Sequence, residues 1–130
     1  MISVYSTDDH RTVIHELMPC TAMVHQVGQA MVMSGGKLAL ATGTKKPEFI
    51  CNQQAKAACE AGEMVAVTRV AGDIVYQPPL AAAGASLKVG DKVTIHTDGE
   101  QVTATTEGGV AQIVRMGGTA AGDPVWVRFT

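Results

Sequence analysis

The chain has 130 residues, a formal net charge of −2, 46% hydrophobic residues, 17% charged residues and only 4% aromatics. That length suits one domain with its own core, and the apolar share is too high for a disordered chain. The mild acidity offers no general attraction to phosphate or anionic lipid, no apolar run approaches the roughly 20 residues of a membrane span, and no signal-peptide segment opens the chain, so the expectation is a soluble protein made in the cytosol.

In chain order, residues 1–11 open with Ile2, Val4 and Tyr5 in strand-like alternation and then turn polar at Ser6-Thr7-Asp8-Asp9. Residues 12–18 are more apolar, with Val13, Ile14, Leu17 and Met18, before Pro19 stops any ladder. Two readings stand side by side: a frayed terminus, and an arm that becomes a strand on another protein's sheet edge. The first meander follows in residues 27–42, VGQAMVMSGGKLALAT, where Met31 and Met33 precede the Gly35-Gly36 turn and Leu38 and Leu40 follow it. Phe49-Ile50-Cys51 reads as a short strand. Residues 52–60, NQQAKAACE, hold good helix formers over only about two turns and predict a short helix or a long loop.

Residues 63–70 alternate again around Val65 and Val67, and Ile74-Val75-Tyr76 follows after a turn at Ala71-Gly72-Asp73. The joint at residues 77–86, QPPLAAAGAS, is stiffened by Pro78-Pro79 and is apolar enough that its own core or a neighbouring subunit should cover it. The pattern is clearest in residues 89–115. Val93 and Ile95 alternate with Thr94 and His96, Asp98-Gly99 supplies a hairpin turn, and Val102 and Ala104 alternate with Thr103 and Thr105. Residues 110–114 give a third strand, and residues 124–129, PVWVRF, close the chain with Val125, Val127 and Phe129 on one face and Trp126 and Arg128 on the other.

The two halves echo each other. Val27-Gly28 matches Val89-Gly90, the hairpins correspond, and Ala61-Gly62-Glu63 matches Ala121-Gly122-Asp123 ahead of the final strand. This predicts a twofold internal repeat, residues 20–70 and 87–129, spaced by roughly 60 residues. Two copies are too few for a solenoid and should pack on each other in one small barrel or sandwich.

Chemistry is sparse. Cys20, Cys51 and Cys59 cannot all pair, no C-x-x-C occurs, and the odd count without a secretory signal predicts free, mostly buried thiols, with Cys51 a small core residue. The cysteines and the scattered His10, His15, His25 and His96 lack metal-ligand spacing, so no metal and no cofactor is expected. His15-Glu16 makes no acid/base pair, because adjacent strand residues point to opposite faces. No catalytic residue is assigned, and the chain is not expected to be an enzyme.

The succession HELMPCTA, VGQAMVMSGGKL, PEFIC, AGEMVAVTRV, LKVGDKVTIHTDG and AGDPVWVRF resembles the small capsid decoration (cement) proteins of tailed bacteriophages and prophages, from about His15 to Phe129. The resemblance implies an all-β, β-tulip-like domain with at most one short helix, usually a homotrimer, on the outer capsid surface of the virion after synthesis in the host bacterial cytoplasm. It also implies an N-terminal segment that pairs with the major capsid protein. By position this is an arm of residues 1–14, with Ile2, Val4, Tyr5, Val13 and Ile14 as capsid contacts and residues 15–130 as the body. Pro78, Pro79 and Leu80 in the apolar joint are the expected trimer contacts. Neither nucleic acid nor membrane is an expected partner. The alternatives are a small nucleic-acid-binding barrel or generic assembly module, since LKVGDKV resembles the opening of SH3-like barrels, and a thiol hydrolase using Cys51 or Cys59.

Overall fold

A strand leaves its amides and carbonyls unmet until a neighbour pairs with them, so a chain of alternating segments must build sheets. The computed structural model describes residues 1–7, 15–55, 57–60 and 62–130, and every regular element among them is a strand. These are β1 (Val4–Thr7), β2 (His15–Pro19), β3 (Ala30–Ser34), β4 (Lys37–Leu40), β5 (Phe49–Cys51), β6 (Met64–Arg69), β7 (Ile74–Tyr76), β8 (Lys92–Val93), β9 (Ala111–Met116) and β10 (Val125–Phe129). They form two antiparallel five-stranded sheets, in the orders β1-β7-β10-β9-β8 and β2-β6-β5-β3-β4. The fold is all-β, as expected, but its sheets stay open and do not close into a barrel.

Both sheets carry the same succession: β2-β6-β5-β3 in one and β7-β10-β9-β8 in the other, with β1 added outside β7. The turns match as well. Gly28 and Gly90, each after a valine, have φ of 86° and 97°, a left-handed conformation that side-chain-bearing residues rarely adopt. Gly28 is doubly constrained, since a Cβ there would lie 2.8 Å from the Ile2 nitrogen.

The Asp98-Gly99 hairpin forms in the place expected. The His96 amide donates to the Gln101 carbonyl at 2.9 Å, and the Thr103 amide to the Thr94 carbonyl at 2.9 Å. The hairpin is also the seam between the halves: Ile95 and Gly43 exchange both backbone bonds at 2.8 and 3.0 Å, and the Ala30 amide donates to the Gly99 carbonyl at 2.7 Å.

Between the sheets lies the main core, where Ala30 and Ile50 of the second sheet meet Ile74, Tyr76, Ile113, Val127 and Phe129 of the first, with Ile2, Leu80, Ile95 and Val102 filling the ends. The outer face of the second sheet carries another cluster: Met31, Leu38, Phe49, Cys51, Val65 and Val67, closed over by Cys20 and Cys59. Burying a side chain such as Leu38 or Phe49 contributes about 1.5–3 kcal/mol, so this second face needs a cover. The described residues of the 52–63 segment supply it, Cys59 packing on the cluster. They contain no helix, and they are joined to residue 20 by a Cys20–Cys59 disulfide with Cα atoms 6.2 Å apart. The expectation of three free thiols is therefore corrected: an odd count leaves one cysteine over but does not prevent the other two from pairing, and Cys51 is that one, buried.

Two further expectations change. The N-terminal strand is neither a frayed terminus nor a free arm within the described residues: β1 pairs antiparallel with β7, Val4 opposite Tyr76 and Thr7 opposite Ile74. Ile2 is not an exposed contact but a core residue, 1% exposed, whose amide donates to the Gly28 carbonyl. Residues 8–14, with Val13 and Ile14, lie outside the described residues. In the joint, Pro78 and Leu80 are buried by their own chain and are not available as trimer contacts, while Pro79 is half-buried. The reason is that the joint is woven into the sheet: the Val125 amide donates to Pro78 at 3.0 Å, the Val102 amide to Pro79 at 3.1 Å, and the Leu80 amide to Asp123 at 2.9 Å.

Candidate interaction surface

The alternation of β10 sends Val125, Val127 and Phe129 inward, leaving Trp126 and Arg128 on the outer face of the first sheet. Two bulges then bring a cation and a second aromatic ring to the tryptophan. On β9 the register slips so that Trp126 faces Arg115 while Val127 faces Ile113, and Val114 is the extra, exposed residue. On β1 it slips between Val4 and Ser6, and the extra residue is Tyr5. A bulge re-aims side chains that strict alternation would place elsewhere.

The product is a compact cluster. The Tyr5 and Trp126 rings meet edge to face at 5.5 Å and 75°, and the Arg115 guanidinium sits 4.6 Å from the Trp126 ring centre. Between β1 and β10 runs β7, whose Val75 is outside the core cluster and still only 7% exposed. Tyr5 is 52% exposed, so the cluster presents aromatic surface to solvent. The Trp126 indole nitrogen is buried without a hydrogen-bond partner, an unusual state for a group that normally finds one. Arg128 is held beside it by donating to the Gly72 carbonyl at 2.8 Å. Tyrosine, tryptophan and arginine are the residue types enriched at the centres of protein interfaces.

Of the residues expected as capsid contacts, Tyr5 stands on this surface, Ile2 lies in the core, and Val4, opposite Tyr76, lines the cleft beside the second sheet. Sequence reasoning placed Trp126 on the outer face but did not pick out Trp126 or Arg115 as a site. The scarcity of tryptophan, one in the chain, was the available signal.

Elsewhere, an open cleft runs between the N-terminus and the second sheet, lined by Met1, Ser3, His15, Ile50, Asn52 and Thr68 among others. His15 stands opposite Thr68, whereas Glu16 turns away into a two-bond ion pair with Arg69 at 2.9 and 3.0 Å, so the two neighbours do face apart. The Asn52 side-chain amide donates to the Thr68 hydroxyl. Burial pushes the Cys51 thiol up, and a protonated thiol is a poor nucleophile.

The described residues form an all-β, two-sheet body with an exposed aromatic–cationic face on its first sheet. No protein-family model matches the chain, and no curated protein matches it. A solved structure does: the N base of the head fiber gp8.5 of bacteriophage phi29 shares the fold with a TM-score of 0.57, covering 92% of this chain and 95% of that one at 17% identity.

Proposed function

We propose that this chain is a structural virion protein of a tailed phage that seats on the outer capsid surface and stabilises the expanded shell. The observation that carries the reading is the exposed Tyr5–Trp126–Arg115 cluster on a body sharing its fold with a phage head fiber base. In this reading the outer face of the first sheet rests on the major capsid protein, and the terminal strand β1 offers its outward edge for a coat-protein strand to extend the sheet. Residues 8–14 would continue that contact.

Such a role needs no active site. It needs a rigid body and contacts that exist only on the expanded lattice, because a ligand that binds one shell geometry stabilises it by mass action. A homotrimer at a threefold position would engage several coat subunits at once, so that weak single contacts add to a durable attachment. Neither nucleic acid nor membrane enters this reading.

Co-sedimentation with expanded heads lacking the protein tests it. Trp126→Ala should weaken attachment roughly 30-fold, the effect of losing a central aromatic anchor of about 2 kcal/mol. Val89→Ser, at the exposed residue before β8 at the other end of the sheet, should leave attachment unchanged. Equal attachment of wild type and Trp126→Ala would remove the sheet face from the interface.

A further inference from the structure

A second cluster lies on the outer face of the second sheet, where the described residues around Cys59 pack over it. Two loops meet there and are clasped by backbone bonds: the Cys20 amide donates to the Glu63 carbonyl at 3.2 Å, the Cys59 amide to Met23 at 3.2 Å, and the Ala55 amide to His25 at 2.9 Å. Their convergence gathers the sulfurs of Cys20 and Cys59 and a ring nitrogen of His25 within 4.8 Å of one another, all three residues buried. The Glu63 carboxylate, exposed and outside that mutual 4.8 Å group, lies 3.6 Å from the Cys59 sulfur and within reach of the site on a side-chain rotation.

His25 is the unexplained member. It is fully buried, with 0% exposure, and neither ring nitrogen completes a hydrogen bond. A polar ring left so costs free energy unless something else binds it. A packing residue would do better as leucine or phenylalanine. A ligand would look like this.

We propose that Cys20, Cys59 and His25 in the reduced protein bind one zinc ion, with the Glu63 carboxylate as fourth donor, and that this site alternates with the Cys20–Cys59 disulfide. Two thiolates, an imidazole and a carboxylate are a suitable tetrahedral set for zinc. The exchange balances. Two molecules of a thiol reductant open the disulfide, leaving two protein thiols and one oxidised reductant disulfide, and zinc then displaces two protons as the thiolates bind it. In a reducing compartment the metal would tie Cys59 to Cys20 and His25, and under oxidising conditions the disulfide would tie Cys59 to Cys20.

The test is a titration of full-length protein, reduced with a phosphine, with cobalt(II) as the spectroscopic stand-in for zinc. One equivalent should bring up a thiolate-to-cobalt charge-transfer band with tetrahedral d–d bands, and zinc should bleach both. The oxidised protein should give neither. Cys20→Ser and Cys59→Ser should lose the charge-transfer intensity in part or whole. His25→Ala, which retains the disulfide as a check on folding, should bind at least about tenfold more weakly after reduction, and Glu63→Gln should weaken binding too. Absence of the band in reduced wild type, or its full survival in both serine variants, would overturn the site. Unchanged affinity in Glu63→Gln would overturn the assignment of the fourth donor.

Discussion

The amide of Ile2 donates to the carbonyl of Gly28 at 3.0 Å, so the N-terminus is fastened to the turn that opens the first meander. Around that bond the Ile2 side chain enters the main core, and β1 closes the first sheet against β7. Ile2→Ala should therefore cost about 2–5 kcal/mol in urea unfolding, as other large-to-small core changes do. Gly28→Ala should also destabilise, through a strained φ of 86° and the approach of the Ile2 nitrogen. Removing residues 1–7 should lower the melting temperature of the whole domain. An unaltered melt would mean that β1 is an independent arm.

The single tryptophan makes the sheet face observable. If Trp126 lies in the interface with capsid, its fluorescence should shift on attachment, and quenching by acrylamide should fall. Arg115→Ala should alter the free protein's emission by removing the cation 4.6 Å from the ring, with little change in stability because the pair is near solvent. Quenching that is identical in free and attached protein would place Trp126 away from the shell.

Cys51 should resist alkylation near neutral pH in the native state and react on unfolding. Its thiol is buried in the second cluster, donates to the Gln53 carbonyl at 3.3 Å, and is pushed up by desolvation. Cys51→Ala should cost about 1 kcal/mol through lost packing. Mass spectrometry after brief iodoacetamide treatment reads the first part, and rapid single-site labelling at Cys51 would contradict it.

Asp98 links stability to acid. Desolvation raises its pKa, but donation from the Gln101 side chain, the Glu100 amide and His96 outweighs it, and the net shift is below the ordinary 3.8. A carboxylate with a depressed folded pKa contributes stability that is present above its unfolded pKa and lost as pH falls through the folded one. Unfolding free energy should therefore drop as the pH goes below 3.8, and Asp98→Asn should flatten that part of the curve. A variant with the same acid slope as wild type would show that the hairpin charge does not matter.

Much of the sheet structure was legible because it is local. The alternation of residues 125–129 gave the inward and outward faces of β10 directly, and the Asp98-Gly99 pair marked a hairpin whose bonds span only a few residues. The partner of β1 was not legible, because β7 is far along the chain and three short residues, Ile74-Val75-Tyr76, carry no sign of which edge they will accept. The interaction cluster depends on bulges at Tyr5 and Val114, single-residue slips that leave no mark in an alternating pattern. A metal site from the cysteines and histidines was set aside on spacing alone, because the approach of Cys20, His25 and Cys59 follows the clasp of two loops, not a contiguous motif.

The central claim is that the Tyr5–Trp126–Arg115 face rests on a capsid. Electron cryomicroscopy of expanded phage heads reconstituted with the full-length protein tests it most directly. The account predicts density for this two-sheet domain on the outer surface, with the first sheet turned toward the coat lattice and β1 beside a coat-protein strand. Heads without added density, or a domain seated with that face toward solvent, would contradict it.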